Sequence, residues 1–252
     1  MHWHGDREPE VVREPSSQVG PANAGHYIDV ASGFSRTDVA SGFSRIDVAS
    51  GFSRIDVASG FSRTIVLASR SPRRAELLAA AGISFDVLAA DIDETPHAGE
   101  APEAYVERLA IEKARAVLSL RPDSTVLGAD TTVVIDGLIL GKPAGAREAT
   151  EMLQRLRGRV HDVFTGVALV SAAGEHSAVD RTRVWFDPVT DEDISWYVAS
   201  GEPVDRAGAY AIQGLASRFI PRIEGSYSNV VGLPVALVSS ILMKEKPLRL
   251  SL

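Results

Sequence analysis

From Ile65 onward, short apolar runs alternate with stretches in which apolar residues recur every three to four positions, the mark of strands interleaved with helices. Ile65-Val66-Leu67 reads as a short buried strand. Ala75 to Ala81 reads as a helix, with Ser71 at the N-cap and Pro72 at the first helical position. Phe85 to Ala89 is a second strand. A long helix begins at Pro102 and reaches about Leu118, with Val106, Leu109, Ala110, Ala114 and Val117 on one stripe and Arg108, Glu112, Arg115 and Ser119 opposite. Lys113 falls among the apolar positions, where it either snorkels or turns into a cleft. Thr125 to Ile135 and Leu138 to Leu140 form a hairpin around Asp136-Gly137. Its register pairs Ile135 with Leu138 and, extended, Thr131 with Lys142. Strict alternation then sets Lys142 on the face opposite Asp130, unless a bulge at Gly141-Lys142-Pro143 turns it back. A helix over residues 146–156 follows, then strands Val160–Ser171 and about Ser177–Phe186. A helix from Asp191 to Ala199 has Thr190 as N-cap, and a last helix runs from Val235 to about Met243.

The chain before Ile65 is different. Residues 1–27 are polar, with several prolines, glycines and glutamates; His2 and His4 form a His-x-His pair that could bind a metal weakly, and a disordered terminus is the better reading. Residues 28–63 are four copies of one nine-residue unit: Ile28–Arg36, Ile46–Arg54 and Ile55–Arg63 read IDVASGFSR, and Thr37–Arg45 differs only in its first residue. Nine residues are too few for a helical solenoid repeat, and the unit lacks the Gly-Gly-x-Gly-x-Asp of calcium-binding nonapeptides. Near-identity of the copies points to recent duplication of coding DNA. Residues 1–63 are therefore expected to be a disordered extension without catalytic role, and residues 64–252 the domain.

A net charge of −7 over 252 residues argues against general nucleic-acid binding, while leaving room for a small anion held by a local basic cluster. The sequence has no cysteine, which removes disulfides, thiolate metal sites and cysteine nucleophiles. No apolar run approaches the ~20 residues of a membrane span, and the N-terminus lacks the order of a signal peptide. A cytoplasmic protein is the expectation.

Candidate chemistry gathers at four places. In Ser69-Arg70-Ser71-Pro72-Arg73-Arg74 a strand turns into a helix whose first turn carries two arginines. Cations there oppose the helix dipole, and a bound phosphate reverses that sign. Asp91, Asp93 and Glu94 make an acidic loop able to offer oxygen ligands to Mg²⁺. Asp130 is a carboxylate inside an apolar strand, with lysines nearby in the pattern; such groups are active-site candidates, and hydrogen-bonded structural aspartates look the same. Around Gln213, small residues and glycines permit close approach of backbone to a ligand, and the Gln213 amide can read a base edge. His161 and His176 lie near strand ends without partners at ligand spacing and are read as structural.

Taken together, Ser69-Arg70-Ser71-Pro72-Arg73-Arg74, Glu112-Lys113-Ala114, Gly128-Ala129-Asp130-Thr131, Gly141-Lys142-Pro143, Ala207-Gly208-Ala209-Tyr210 with Ile212-Gln213-Gly214, and Gly225-Ser226-Tyr227 with Gly232-Leu233-Pro234 resemble the Maf family of nucleoside triphosphate pyrophosphatases. The resemblance spans about Ile65 to Met243. It implies an elongated mixed-sheet α/β domain of the Maf/ITPase type with a cleft between two lobes, often as a homodimer. It implies hydrolysis of a nucleoside triphosphate to the monophosphate and pyrophosphate. By motif, Asp130 matches the proton acceptor, and Lys113 and Lys142 the phosphate-contacting lysines. Ser69, Arg73 and Arg74 match the phosphate turn, while Glu94 with Asp130 would hold a divalent cation, Mg²⁺ or Mn²⁺. Arg73, Thr131 and Gln213 match the positions tied to substrate choice, and the Ile-Gln-Gly version resembles the branch acting on dTTP and UTP. A reading from another class is a nucleotide-binding regulator of septum formation without turnover, which has no need of Asp130.

Overall fold

The computed structural model describes residues 64–244; the extension and its repeats lie outside them. A mixed seven-stranded sheet has the order β2-β1-β3-β5-β6-β7, with β4 paired to β3. The strands are β1 (Ile65–Leu67), β2 (Phe85–Val87), β3 (Val126–Ile135), β4 (Leu138–Leu140), β5 (Val160–Ser171), β6 (Gly174–Trp185) and β7 (Arg222–Glu224). The helices are α1 (Pro72–Ala80), α2 (Pro102–Leu120), α3 (Ala146–Leu156), α4 (Asp191–Ala199), α5 (Tyr227–Val231) and α6 (Val235–Lys244), with 3₁₀ turns at Ala207–Ala209 and Leu215–Phe219. No helix among the described residues is long and apolar enough to cross a membrane.

The long strands β3 and β5 carry two apolar cores on one face. At one end Leu127, Ala129, Val167 and Leu169 pack with Leu78 of α1 and Val238 and Ile241 of α6. At the other, Val133, Ile135 and Val163 pack with Leu153 of α3 and Ile194 and Tyr197 of α4. Thr131, paired with Thr165 across the strands, falls between the two cores. Two lobes thus share one sheet.

On the other face lies α2, with Val106, Leu109, Ala110, Ala114 and Val117 all buried as the stripe requires. It sits unusually close. A Cβ on Gly128 would overlap the Ala110 carbonyl, and one on Gly166 would overlap that of Val106. Gly166 is the direct cross-strand partner of Asp130, so these glycines bring the helix down where the buried carboxylate stands.

The hairpin forms with Ile135 opposite Leu138. Its pairing ends at Val133–Leu140, so the expected continuation to Thr131–Lys142 does not occur, and neither does a bulge. On the same side of β3, the parallel partner β1 stops at Leu67, opposite Leu127. Between these two stops β3 is paired only with β5 among the described strands. The chain leaving β1 and the chain leaving β4 both turn out at this gap. That is a crevice beyond strand ends, the place where α/β sheets bind ligands.

Two local expectations are modified. Ser71 takes the N-cap position of α1 with extended backbone, but its side chain makes no cap bond. The Ser71 N–H instead donates to Ser69 Oγ at 3.2 Å. Strand β6 starts at Gly174, three residues earlier than the pattern indicates, so the hairpin turn is Ala172-Ala173. The Thr190 cap of α4 is a full capping box with Asp193.

Candidate active site

The gap beside β3 opens into a cleft of about 700 Å³. The residues matched by the resemblance all line it: Ser69, Arg73 and Arg74 from the β1–α1 turn, Glu94 from the acidic loop, Lys113 from α2, Asp130 and Thr131 from β3, Lys142 after β4, and Gln213; Asp93 of the acidic loop does not.

At the base is Asp130, only 8% exposed. The Lys113 Nζ donates to its Oδ1 at 2.6 Å and lies 2.7 Å from Glu94 Oε1. Lys113 therefore does not snorkel to solvent; its ammonium enters the cleft. Burial pushes the Asp130 carboxyl above its ordinary range, and the charges of Lys113 and Arg74 pull the other way. Burial outweighs those charges, and a carboxyl raised in this way suits a proton acceptor.

The acidic loop does not act as one cluster. Asp91 pairs with Arg70 at 2.6 Å, and Asp93 Oδ1 accepts the Thr95 N–H at 2.9 Å. Only Glu94 turns to Lys113. Among the described residues no three His, Cys, Asp or Glu side chains converge as metal ligands. What converges is a pair: Glu94 and Asp130 meet on a single cationic nitrogen. Two hard oxygen donors at one point fit Mg²⁺ or Mn²⁺ completed by substrate phosphates and water.

Arg74 is engaged more fully than its motif implies. Its Nε donates to the Gly232 carbonyl at 2.8 Å, Nη1 to Ser69 Oγ at 3.0 Å and Nη2 to Thr131 Oγ1 at 3.1 Å. Burial lowers its pKa, and the Asp130 and Glu94 charges raise it again. The guanidinium ties three chain segments together and lends its charge to the cleft without a carboxylate of its own. Thr131 in turn meets Thr165 at 2.9 Å and Gly232 at 3.2 Å. Behind it the wholly buried Asn229 donates to the Val163 carbonyl and to Thr182 Oγ1, both at 3.0 Å.

The other wall is carried by the segment after α4. Lys142 pairs with Asp205 at 2.6 Å, both well exposed. Because strand pairing has ended, alternation no longer dictates where Lys142 points, and it lines the same cleft as Asp130. Gln213 is exposed at the rim. Its loop is held from behind by Glu202, which accepts from Tyr197 Oη at 2.8 Å and the Leu215 N–H at 2.9 Å. Tyr197 Oη accepts the Ala211 N–H at 3.2 Å. These braces are absent from the sequence reading. Asp205, Glu202, Asn229 and the Gly232 carbonyl act through backbone or through residues distant in sequence, and no periodicity marks them. His161, the second residue of β5, is 2% exposed, with Nε2 2.8 Å from Tyr210 Oη. Its structural role stands.

The mixed sheet carries a basic, carboxylate-floored cleft at the end of β1, and sequence comparison identifies its lineage. The pattern of the family described as Maf-like protein matches residues 64–245, and the chain belongs to that family. Relatives include the dTTP/UTP pyrophosphatase of Myxococcus xanthus, 58% identical over 180 residues that cover 71% of this chain and 90% of that protein. The dTTP/UTP pyrophosphatase of Vibrio parahaemolyticus is 53% identical over 173 residues, 68% of this chain and 92% of that one. The protein of the same name from Pelotomaculum thermopropionicum is 50% identical over 182 residues, 71% and 95% of the two chains.

Proposed function

We propose that this protein hydrolyses dTTP and UTP to the monophosphate and pyrophosphate. The observation that carries the reading is the buried Asp130, held by Lys113 at the floor of a cleft whose other walls are basic. Six basic and four acidic side chains line that cleft, in a chain whose net charge is −7. The local excess of positive charge suits a triphosphate arriving with a divalent cation.

In this proposal Arg73, Lys142 and Lys113 neutralise phosphate oxygens, Ser69 donates to them, and Arg74 adds its charge from behind. Asp130 accepts a proton from water as the water oxygen bonds to the α-phosphorus. The bond to the α–β bridging oxygen breaks, and pyrophosphate leaves with that oxygen. Glu94 and Asp130 would hold the divalent cation, which when bound neutralises charge developing on the phosphates. Lys113 then exchanges carboxylate contacts for phosphate. Gln213 and Thr131 read the base and its approach. A regulator that merely binds triphosphates would gain nothing from burying a carboxylate beside them, since the charge opposes binding. The proposal assigns the activity to residues 64–252 in the cytoplasm and gives the repeats no part in it.

The test is a panel of nucleoside triphosphates with Mg²⁺, each assayed separately for pyrophosphate and for orthophosphate. Pyrophosphate released preferentially from dTTP and UTP is expected. Orthophosphate as the first product, or no release from any triphosphate, would contradict the assignment.

A further inference from the structure

We propose that Arg206 is a further phosphate-binding residue of the cleft, contributed by the lobe opposite Arg73 and Arg74. The inference rests on the pyrophosphatase reading of this cleft and adds a contact to it.

Arg206 lines the cleft beside Lys142, Asp205 and Ala207. Its Nε is shut off from solvent and has no hydrogen-bond partner. Four of the five other cations of the cleft already have acceptors. Lys113 has two carboxylates, Lys142 has Asp205, Arg70 has Asp91, and Arg74 has three neutral acceptors. Asp205, the adjacent residue, already gives its carboxylate to Lys142. An N–H removed from water without an acceptor is unfavourable. Its only perturbation is that cost: burial lowers the Arg206 pKa and no neighbouring carboxylate restores it. An anion entering the cleft would supply the missing acceptor.

The backbone holds Arg206 in place for this. Its N–H donates to the Pro203 carbonyl at 3.3 Å, and its carbonyl accepts from Ala209 at 3.0 Å. The Gly208 N–H then donates to the Gly141 carbonyl at 3.0 Å, fastening the segment to the chain that carries Lys142. Gly208 adopts φ +67, and a Cβ there would press on the Val133 side chain at 2.8 Å. Glycine is thus required both by conformation and by space. The side chain is mounted on a segment with little freedom to move, so little ordering is left to be done on binding. A guanidinium also offers the fork that matches phosphate oxygens, which an ammonium does not.

The test compares wild type with Arg206→Met, which keeps the unbranched stem and removes the charge, and with Arg206→Lys. Binding of inorganic pyrophosphate is measured by calorimetry, dTTP turnover gives kcat and KM, and Tm is taken without ligand. Arg206→Met should bind pyrophosphate at least about tenfold more weakly, the loss expected for one charged hydrogen bond. KM for dTTP should rise by a similar factor, and Tm should stay level or rise because an unpaired charge has gone. Arg206→Lys should recover part of the affinity. Pyrophosphate affinity within about twofold of wild type in Arg206→Met would overturn the proposal. So would a fall in its Tm of several degrees that Arg206→Lys repairs without change in affinity, for that marks a structural brace. A wild-type protein that binds pyrophosphate through Arg206 yet releases none from dTTP would sink the pyrophosphatase reading and leave this contact standing.

Discussion

The Lys113 ammonium lies 2.6 Å from the Asp130 carboxylate, joining α2 to β3 through the floor of the cleft. The contact depends on how closely the helix approaches the sheet. Gly128 precedes Asp130 by two residues on the same face, and Gly166 stands directly across from it on β5. At both positions a methyl group would overlap a carbonyl of α2. The Lys113–Asp130 pair and the two glycines are therefore parts of one device.

Gly166→Ala should damage stability and turnover together. The helix must lift from the sheet to admit the methyl, at a cost of about 1–3 kcal/mol for overpacking, and Lys113 then loses its position over Asp130. A Tm lower by several degrees and a kcat reduced at least about tenfold are expected. Gly145, where an added Cβ meets nothing, is the control, and its change to Ala should leave both quantities near wild type.

Arg74 and Lys142 are both cleft cations, yet their removal should read differently. Arg74→Ala strips three hydrogen bonds from Ser69, Thr131 and Gly232. A loss of about 2–4 kcal/mol in stability is expected along with weaker triphosphate binding. Lys142→Ala removes only an exposed pair with Asp205, which contributes roughly 0–1 kcal/mol. Its KM for dTTP should rise with Tm almost unchanged. Denaturant melts and steady-state kinetics on the two variants check this contrast.

His161 should make the fold acid-sensitive. Burial lowers its pKa from 6.5 to about 4, so the unfolded chain takes up its proton first as pH falls. The stability it allows is fully present above about pH 6.5 and declines between 6.5 and 4. At 1.36 kcal/mol per pH unit, the loss approaches about 3 kcal/mol. His161→Gln keeps a hydrogen-bonding group near Tyr210 and should lack that decline. Stability measured from pH 7 to 4 in both proteins tests it.

Much of this site can be read in the sequence because it follows local rules. The stripe of α2 gives its buried face, and the Asp136-Gly137 turn fixes the register from Ile135 to Leu138. Asp130 announces itself as a charge within an apolar strand. Alternation extended past Leu140 does not govern Lys142, because register holds only while strands remain paired. The acidic loop looked like a ligand cluster, but spacing in a loop says nothing about direction: Asp91 and Asp93 turn to Arg70 and Thr95. The brace formed by Arg74 and the Gly232 carbonyl joins residues 158 apart, through a backbone atom that every residue possesses. No pattern in a single sequence marks such a contact.

The domain should stand without its extension. Each repeat carries one Phe, one Val, one Ala and one Ile or Thr among polar residues and glycine, little apolar surface against an ordering cost of ~1–2 kcal/mol per residue. A chain starting near Thr64 is expected to match full length in kcat/KM on dTTP and in Tm. Lost activity or a Tm several degrees lower would place the repeats against the domain.

The account turns on Asp130, and the most direct measurement is pyrophosphate release from dTTP by Asp130→Asn, alongside binding of a non-hydrolysable triphosphate. The substitution keeps the shape of the side chain, and Lys113 retains Glu94 as a partner. Turnover should fall by about 100-fold or more, a barrier increase of about 2.7 kcal/mol or more, while the analogue binds as well as to wild type or more tightly. A variant that keeps more than about a tenth of wild-type kcat, a change under ~1.4 kcal/mol, would show that Asp130 is not the proton acceptor.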